Sequence, residues 1–248
     1  MKRDRLPAII RLPVADTARG LDRCLETGPR GLVLVALGLL TGWWIYVPCH
    51  ELLHAAGCVA TGGSVTRLEL APVYGGRILH RILTFVAADA GHPGRLAGFD
   101  TRGSDLVYLA TDMAPFLLTL FPGVWALRKA GATARPFLFG VALPLALAPF
   151  LSLSGDAYEI GSILVTNLPP WSTGGLPAVL RGDDLLVAIA RAHSVGGVRA
   201  PLGLGLAATL GMVWAIATYL AGAGLAALLG AAGTRPRLPR PNLIRTQR

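Results

Sequence analysis

Four long apolar stretches dominate the hydrophobic pattern of this chain, at roughly residues 31–60, 105–127, 137–165 and 202–230. Each is long enough to cross the ~30 Å hydrocarbon core of a bilayer as a helix. From Gly31 to Val47 the first carries no charge at all. The third is interrupted by Ser154-Gly155-Asp156-Ala157-Tyr158-Glu159, and the fourth is rich in small residues (Gly203, Gly205, Ala207, Gly211), which suits close helix–helix packing. Between the first two stretches the period changes. Val65–Leu70 alternates apolar and polar residues, Gly75-Gly76 punctuates, and Ile78–Phe85 follows, the pattern of a β-hairpin. The rest of that connection, through Gly91-His92-Pro93-Gly94 to Gly103, reads as irregular. A second connection, 166–201, has turn signals at Pro169-Pro170-Trp171 and Gly174-Gly175. There Asp183-Asp184 opens a short helix running to Arg191, expected to lie along a membrane surface. The expected fold is an all-α membrane protein of about four transmembrane helices, with a small membrane-associated β-hairpin between the first two.

Composition agrees. The chain is 53% hydrophobic and 15% charged, against about a quarter charged in soluble domains. Its net charge of +9 does not point to nucleic acid, because the excess sits in termini and loops with no aromatic-and-basic platform beside it. The segments are then a basic N-terminal part (1–30), a core of three spans (31–165), the loop with its surface helix (166–201), a fourth span (202–230) and a basic, disordered tail (231–248). Acids at Asp4, Asp16, Asp22 and Glu26 break up the first thirty residues, so no cleavable signal peptide is expected and the first span serves as the anchor. The lipid bilayer is the expected environment, in a multi-pass protein of the cell membrane. Cys24, Cys49 and Cys58 are odd in number and lack paired spacing, so no disulfide framework is expected. Lys and Arg number 15 across the termini and the 128–135 loop and 8 across the other two loops, which favours both termini inside.

Chemistry enters with His50-Glu51-Leu52-Leu53-His54 in the first span. Histidines at i and i+4 lie one turn apart on one helix face, so both imidazoles can reach one Zn²⁺. Glu51 lies beside them, where a carboxylate can take a proton from a zinc-bound water. Ionisable groups inside a membrane span are costly without a function. A catalytic zinc needs a third protein ligand and an open position. Successive spans alternate direction, so the end of span one, the end of span three and the start of span two share a face. Asp156, in the break of span three, is the first candidate for the third ligand. Glu159 is the rival, or a group supporting the ligands from behind, and Asp156 could instead simply cap the helix that follows. Asp112 could orient a ligand or the substrate, although an acid in the first turn of a helix is ordinary. His80 and His92 fall in the loop, where solvent-facing histidines are common, and are weaker candidates. No substrate-binding residue is assignable.

These features resemble the site-2 proteases, intramembrane zinc metalloproteases. The resemblance rests on the HELLH followed by Ala55 in a membrane helix, a β-hairpin region, Ala114-Pro115 on the next helix, and an Asp-bearing break two spans after the first motif; it covers residues 31–165. It implies that His50, His54 and Asp156 hold zinc, that Glu51 is the general base, and that the substrate is a transmembrane protein. The chain departs from the family's usual patterns. Its third-ligand segment reads Ser-Gly-Asp-Ala-Tyr-Glu where Asn-Pro or Leu-Asp-Gly is usual. Phe116 follows Ala114-Pro115 where the family has Gly-Pro and then Asn. By the resemblance the site would work near the cytoplasmic side, whereas the Lys/Arg bias puts it near the opposite face. The expected function is a zinc metalloendopeptidase. The alternatives are an inactive metal-binding adaptor of the same fold and an ion or proton transporter component, the latter disfavoured by the lack of paired broken helices.

Overall fold

The computed structural model describes residues 10–182, 184–195 and 197–231. The tail expected to be disordered, from 232 on, lies outside the described residues, as do residues 1–9 and Asp183. Among the described residues are four helices long and apolar enough to cross a membrane: Pro29–Ala60, Asp105–Ala132, Pro136–Thr166 and Arg199–Leu228.

Helix α1 (Leu12–Leu25) precedes them and buries Asp16, Gly20 and Cys24, residues spaced four apart on one face. Helix α2 (Pro29–Ala60) is a single 32-residue rod, about 48 Å long at 1.5 Å per residue. The second long helix is segmented: α4 (Asp105–Met113), a tight turn at Ala114–Phe116, a distorted turn at Thr119–Gly123, and α5 (Val124–Ala132). Pro115 and Pro122, which lack an N–H, sit in the two irregular turns. The third is broken where its polar residues fall. Helix α6 (Pro136–Leu151) ends, four residues turn, and α7 (Asp156–Thr166) begins. Short helices α8 (Leu176–Leu180) and α9 (Leu185–Val195) lead into α10 (Arg199–Leu228). Helix α9 turns Leu186, Val187 and Ile189 outward and caps its N-terminus with the Asp184 carboxylate. The small residues of α10 serve its packing: a side chain on Gly211 would run into the Ala157 carbonyl, and one on Gly161 of α7 into that of Ala207. Helix α7, which carries Asp156, is thereby set firmly against α10.

The region between α2 and α4 corrects one expectation. A strand does form at β1 (Ser64–Leu70), but Ile78–Phe85 is not its hairpin partner. Helix α3 (Gly76–His80) opens that segment instead, after a tight turn at Pro72–Tyr74 that ends in left-handed Gly75. Its apolar residues follow helical rather than strand spacing: Leu79 and Leu83 pack inward, while Ile78 and Ile82 are exposed. The sheet has three strands in the order β2-β1-β3, with β2 at Val86–Ala87 and β3 at Gly94–Asp100. Strand β3 runs antiparallel to β1, from Ser64 opposite Asp100 to Leu70 opposite Gly94, and β2 pairs parallel to β1. The sheet lies alongside α2 rather than beyond its end: Leu68, Leu70 and Val86 share a core with Tyr46, Val47 and Ala55. The turn before α3 reaches further back along α2, where the Trp44 indole donates to the Val73 carbonyl (2.5 Å) and the Trp43 indole to the Tyr74 hydroxyl (3.2 Å).

Candidate metal centre

His50 and His54 lie on the buried face of α2, about 9 Å of helix from its C-terminal end. Asp156 arrives from the first turn of α7 across the bundle. The three residues offer ligand atoms that converge on one point. His50 Nε2 is 3.1 Å from His54 Nε2 and 3.1 Å from Asp156 Oδ2, and His54 Nε2 is 3.6 Å from Asp156 Oδ1. Donors about 2.0–2.2 Å from a tetrahedral zinc stand about 3.3–3.6 Å apart, so two sides of the observed triangle are about 0.2 Å short of that size and the third matches it.

Hydrogen bonds behind the triangle set which ring nitrogens face it. His54 Nδ1 donates to the Thr111 carbonyl at 2.8 Å. A carbonyl only accepts, so the proton sits on Nδ1 and Nε2 presents a lone pair. His50 Nδ1 pairs with the Tyr46 hydroxyl at 2.8 Å, an oxygen that can accept the matching proton. Asp156 Oδ2 is buried and makes no hydrogen bond, despite lying 3.1 Å from His50 Nε2; the distance is short but the bond geometry is absent. Nor does Asp156 cap its helix, since Gly155 is the N-cap and no side-chain cap bond forms. With His50 in the tautomer that donates to Tyr46, two lone pairs and a carboxylate face one another, an arrangement that a cation between them stabilises. The residues therefore fit a metal ion.

The rest of the site follows from the chain fold. Glu51 lines the same cavity, of ≈ 510 Å³, as the three ligand candidates. Gly94 of β3 lies so close that a Cβ there would stand 2.6 Å from Glu51 Cγ, which is why the strand begins with a residue lacking a side chain. Asp112 and Glu159 also line the cavity, so the polar segments of all three spans meet at one place. Asp112 is in the last turn of α4, not the first; the first-turn acid is Asp105, held by both terminal nitrogens of Arg181 at 2.7 Å. Glu159 accepts a hydrogen bond from the Tyr108 hydroxyl and is not among the three residues whose ligand atoms come together. Of the loop histidines, His80 bonds the Val86 carbonyl, whereas His92 lines the cavity and pairs with Glu69. Glu69, outside the spans, has its carboxyl held below the usual carboxylate range by hydrogen bonds from Arg67 and then His92.

Sequence reasoning passed over Tyr46, although it sits four residues before His50 as His50 does before His54, and that spacing was visible. It also passed over β3, whose two glycines argue against a strand, and over Thr111, whose contribution is a backbone oxygen and carries no sequence signal.

Comparison with protein-family models, with curated proteins and with solved structures finds no match, so the geometry carries the functional argument.

Proposed function

We propose that this chain is an intramembrane zinc metallopeptidase, similar to the site-2 proteases, that hydrolyses a peptide bond in or near a transmembrane segment of a membrane-protein substrate. The observation that carries the reading is a His–His–Asp triangle of zinc size with a carboxylate, Glu51, beside it in one cavity. Four helices of spanning length, with Trp43 and Trp44 exposed beside a loop that itself exposes Val73, Ile78 and Ile82, support placing the protein in a bilayer, the cell membrane being the natural one.

In this reading His50, His54 and Asp156 hold the metal, with Tyr46 and the Thr111 carbonyl keeping both imidazoles in the ligating tautomer. The zinc, when bound, polarises the scissile carbonyl and makes water a nucleophile near neutral pH. Glu51 takes the proton from the attacking water and returns it to the leaving amine. A helical substrate hides its carbonyls in its own hydrogen bonds and must be held extended. Strand β3 is suited to hold it. It is an edge strand, and its consecutive residues Gly94, Arg95, Leu96 and Ala97 all line the cavity. Successive side chains point to opposite faces, so the cavity runs along the strand's edge, where backbone groups offer an added strand its partners.

Metal analysis of the detergent-purified full chain tests the reading. One zinc per chain is expected, with background zinc in His50→Ala; equal, negligible zinc in both would end it. Glu51→Gln should keep zinc and lose about 10²–10⁴-fold in cleavage of a quenched-fluorophore reporter carrying one apolar span. Zinc without cleavage in the unaltered chain would leave a metal-binding adaptor.

A further inference from the structure

His92 is placed as a working residue is placed, although it is neither a ligand candidate nor the base. It lines the metal cavity two residues before Gly94, the residue pressed against Glu51. Its backbone and its ring are each fixed. The neighbouring Pro93 carbonyl accepts from the Ala71 N–H at 3.1 Å, tying the loop to the end of β1. The ring's Nε2 bonds Glu69 Oε2 at 3.1 Å, and Glu69 Oε1 in turn accepts from Arg67 Nε at 2.8 Å. Glu69 is ionised at neutral pH and so can only accept, which puts a proton on His92 Nε2 and leaves Nδ1 as the ring nitrogen not engaged by Glu69. An ordinary surface pair would have neither the cavity nor the tethered loop.

The reaction needs such a group. When the water oxygen bonds the scissile carbon, the C=O π pair moves onto the carbonyl oxygen, and Glu51 takes the water's proton. As the C–N bond breaks, the pair returns to re-form C=O, the proton goes to the departing nitrogen, and a carboxylic acid and an amine result. Negative charge builds on the carbonyl oxygen between these steps, and donors pre-set toward it lower the barrier.

We propose that His92, held by Glu69 through one ring nitrogen, donates through the other to that oxyanion, and that Glu69 is its positioning residue. This rests on the peptidase reading above. The charged groups on the elements around His92 are Glu51 of α2, Arg67 and Glu69 of β1, and Arg95 of β3.

The test is calorimetric and does not require turnover. A peptide phosphinate, a tetrahedral anion, and the hydroxyethylene peptide of the same sequence, neutral at that position, are titrated into the zinc-loaded full chain in detergent. His92→Ala should keep one zinc and bind the phosphinate about 10- to 100-fold more weakly, the worth of one charge-assisted hydrogen bond, while the hydroxyethylene peptide changes by less than about 3-fold. Glu69→Gln should show the same selectivity at smaller size, which a merely structural role of Glu69 would not produce. Equal weakening of both probes by His92→Ala, or of neither, overturns the proposal while leaving the peptidase reading intact. A wild-type chain that holds no zinc, or binds the phosphinate no better than the hydroxyethylene peptide, overturns both.

Discussion

Two clusters of polar groups are buried in this apolar helical body, and they are built in opposite ways. At one end Asp16 of α1 meets Arg128 of α5: Arg128 Nε reaches Asp16 Oδ2 at 2.7 Å, Arg19 reaches Oδ1 at 2.9 Å, and the Tyr219 hydroxyl adds a third bond at 3.1 Å. The second arm of Arg128 bonds the Ala223 carbonyl at 3.0 Å. The Asp16 carboxylate has two guanidinium partners and a hydroxyl, so the cluster holds its own cations and pins α1 to the bundle. At the other end His50, His54 and Asp156 direct acceptors at one another, and Asp156 Oδ2 has no hydrogen bond. A complete cluster reads as structure. A cluster of acceptors turned toward one another reads as a binding site.

The contrast is sharpest for the acids. Asp156→Ala leaves two imidazoles, so zinc content and cleavage should both fall to background, while Glu159→Ala keeps zinc and loses at most part of the activity. The reverse ranking, read by metal analysis, would move the ligand one turn along α7. Arg128→Ala should do the opposite of Asp156→Ala. Zinc content stays, but the buried Asp16 carboxylate keeps only the partly exposed Arg19 as its cation, a loss of up to about 3–5 kcal/mol, seen as a lower thermal midpoint in detergent. Replacing both partners, Asp16→Leu with Arg128→Met, should recover most of that loss. A double variant as unstable as the single one would mean that the pair specifies more than charge balance.

Tyr46→Phe tests the support behind the ligands. Removing one such partner typically lowers metal affinity about 10–100-fold, measurable by competition with a chelator. Unchanged affinity would make Tyr46 a packing residue. The smallest expected effect is at Glu69, which lies on the surface side of the sheet. Its carboxyl is depressed in the folded chain, so its pairing contributes fully above the unfolded value of about 4.3 and is lost as pH falls through the lower folded value. The melting difference between wild type and Glu69→Gln should therefore be largest at neutral pH and shrink in acid. A difference independent of pH would show that the Arg67–Glu69–His92 pairing is not electrostatic.

Several features were legible in the sequence because they depend on local spacing. The uncharged run into α2, the i, i+4 histidines and the break before Asp156 are properties of consecutive residues, and the structure has them where the pattern put them. The strand partner was not legible. Gly94 and Gly98 weaken β3 by propensity, and only the backbone of β1 beside it makes the strand. Ile78–Phe85 looked like a strand because a short apolar run does not declare its period.

The sequence by itself determined the four apolar spans, the pair of imidazoles on one helix face and the polar break that frees Asp156, since helix geometry converts spacing into direction without outside help. Tertiary structure alone decided that Asp156 rather than Glu159 turns toward the histidines, that Thr111 lends a carbonyl to His54, and that the edge of β3 with His92 at its start lies against Glu51. Those are distances between segments 40 to 100 residues apart in the chain. They depend on how α7 seats against α10 and how the sheet folds back along α2, which no local pattern encodes.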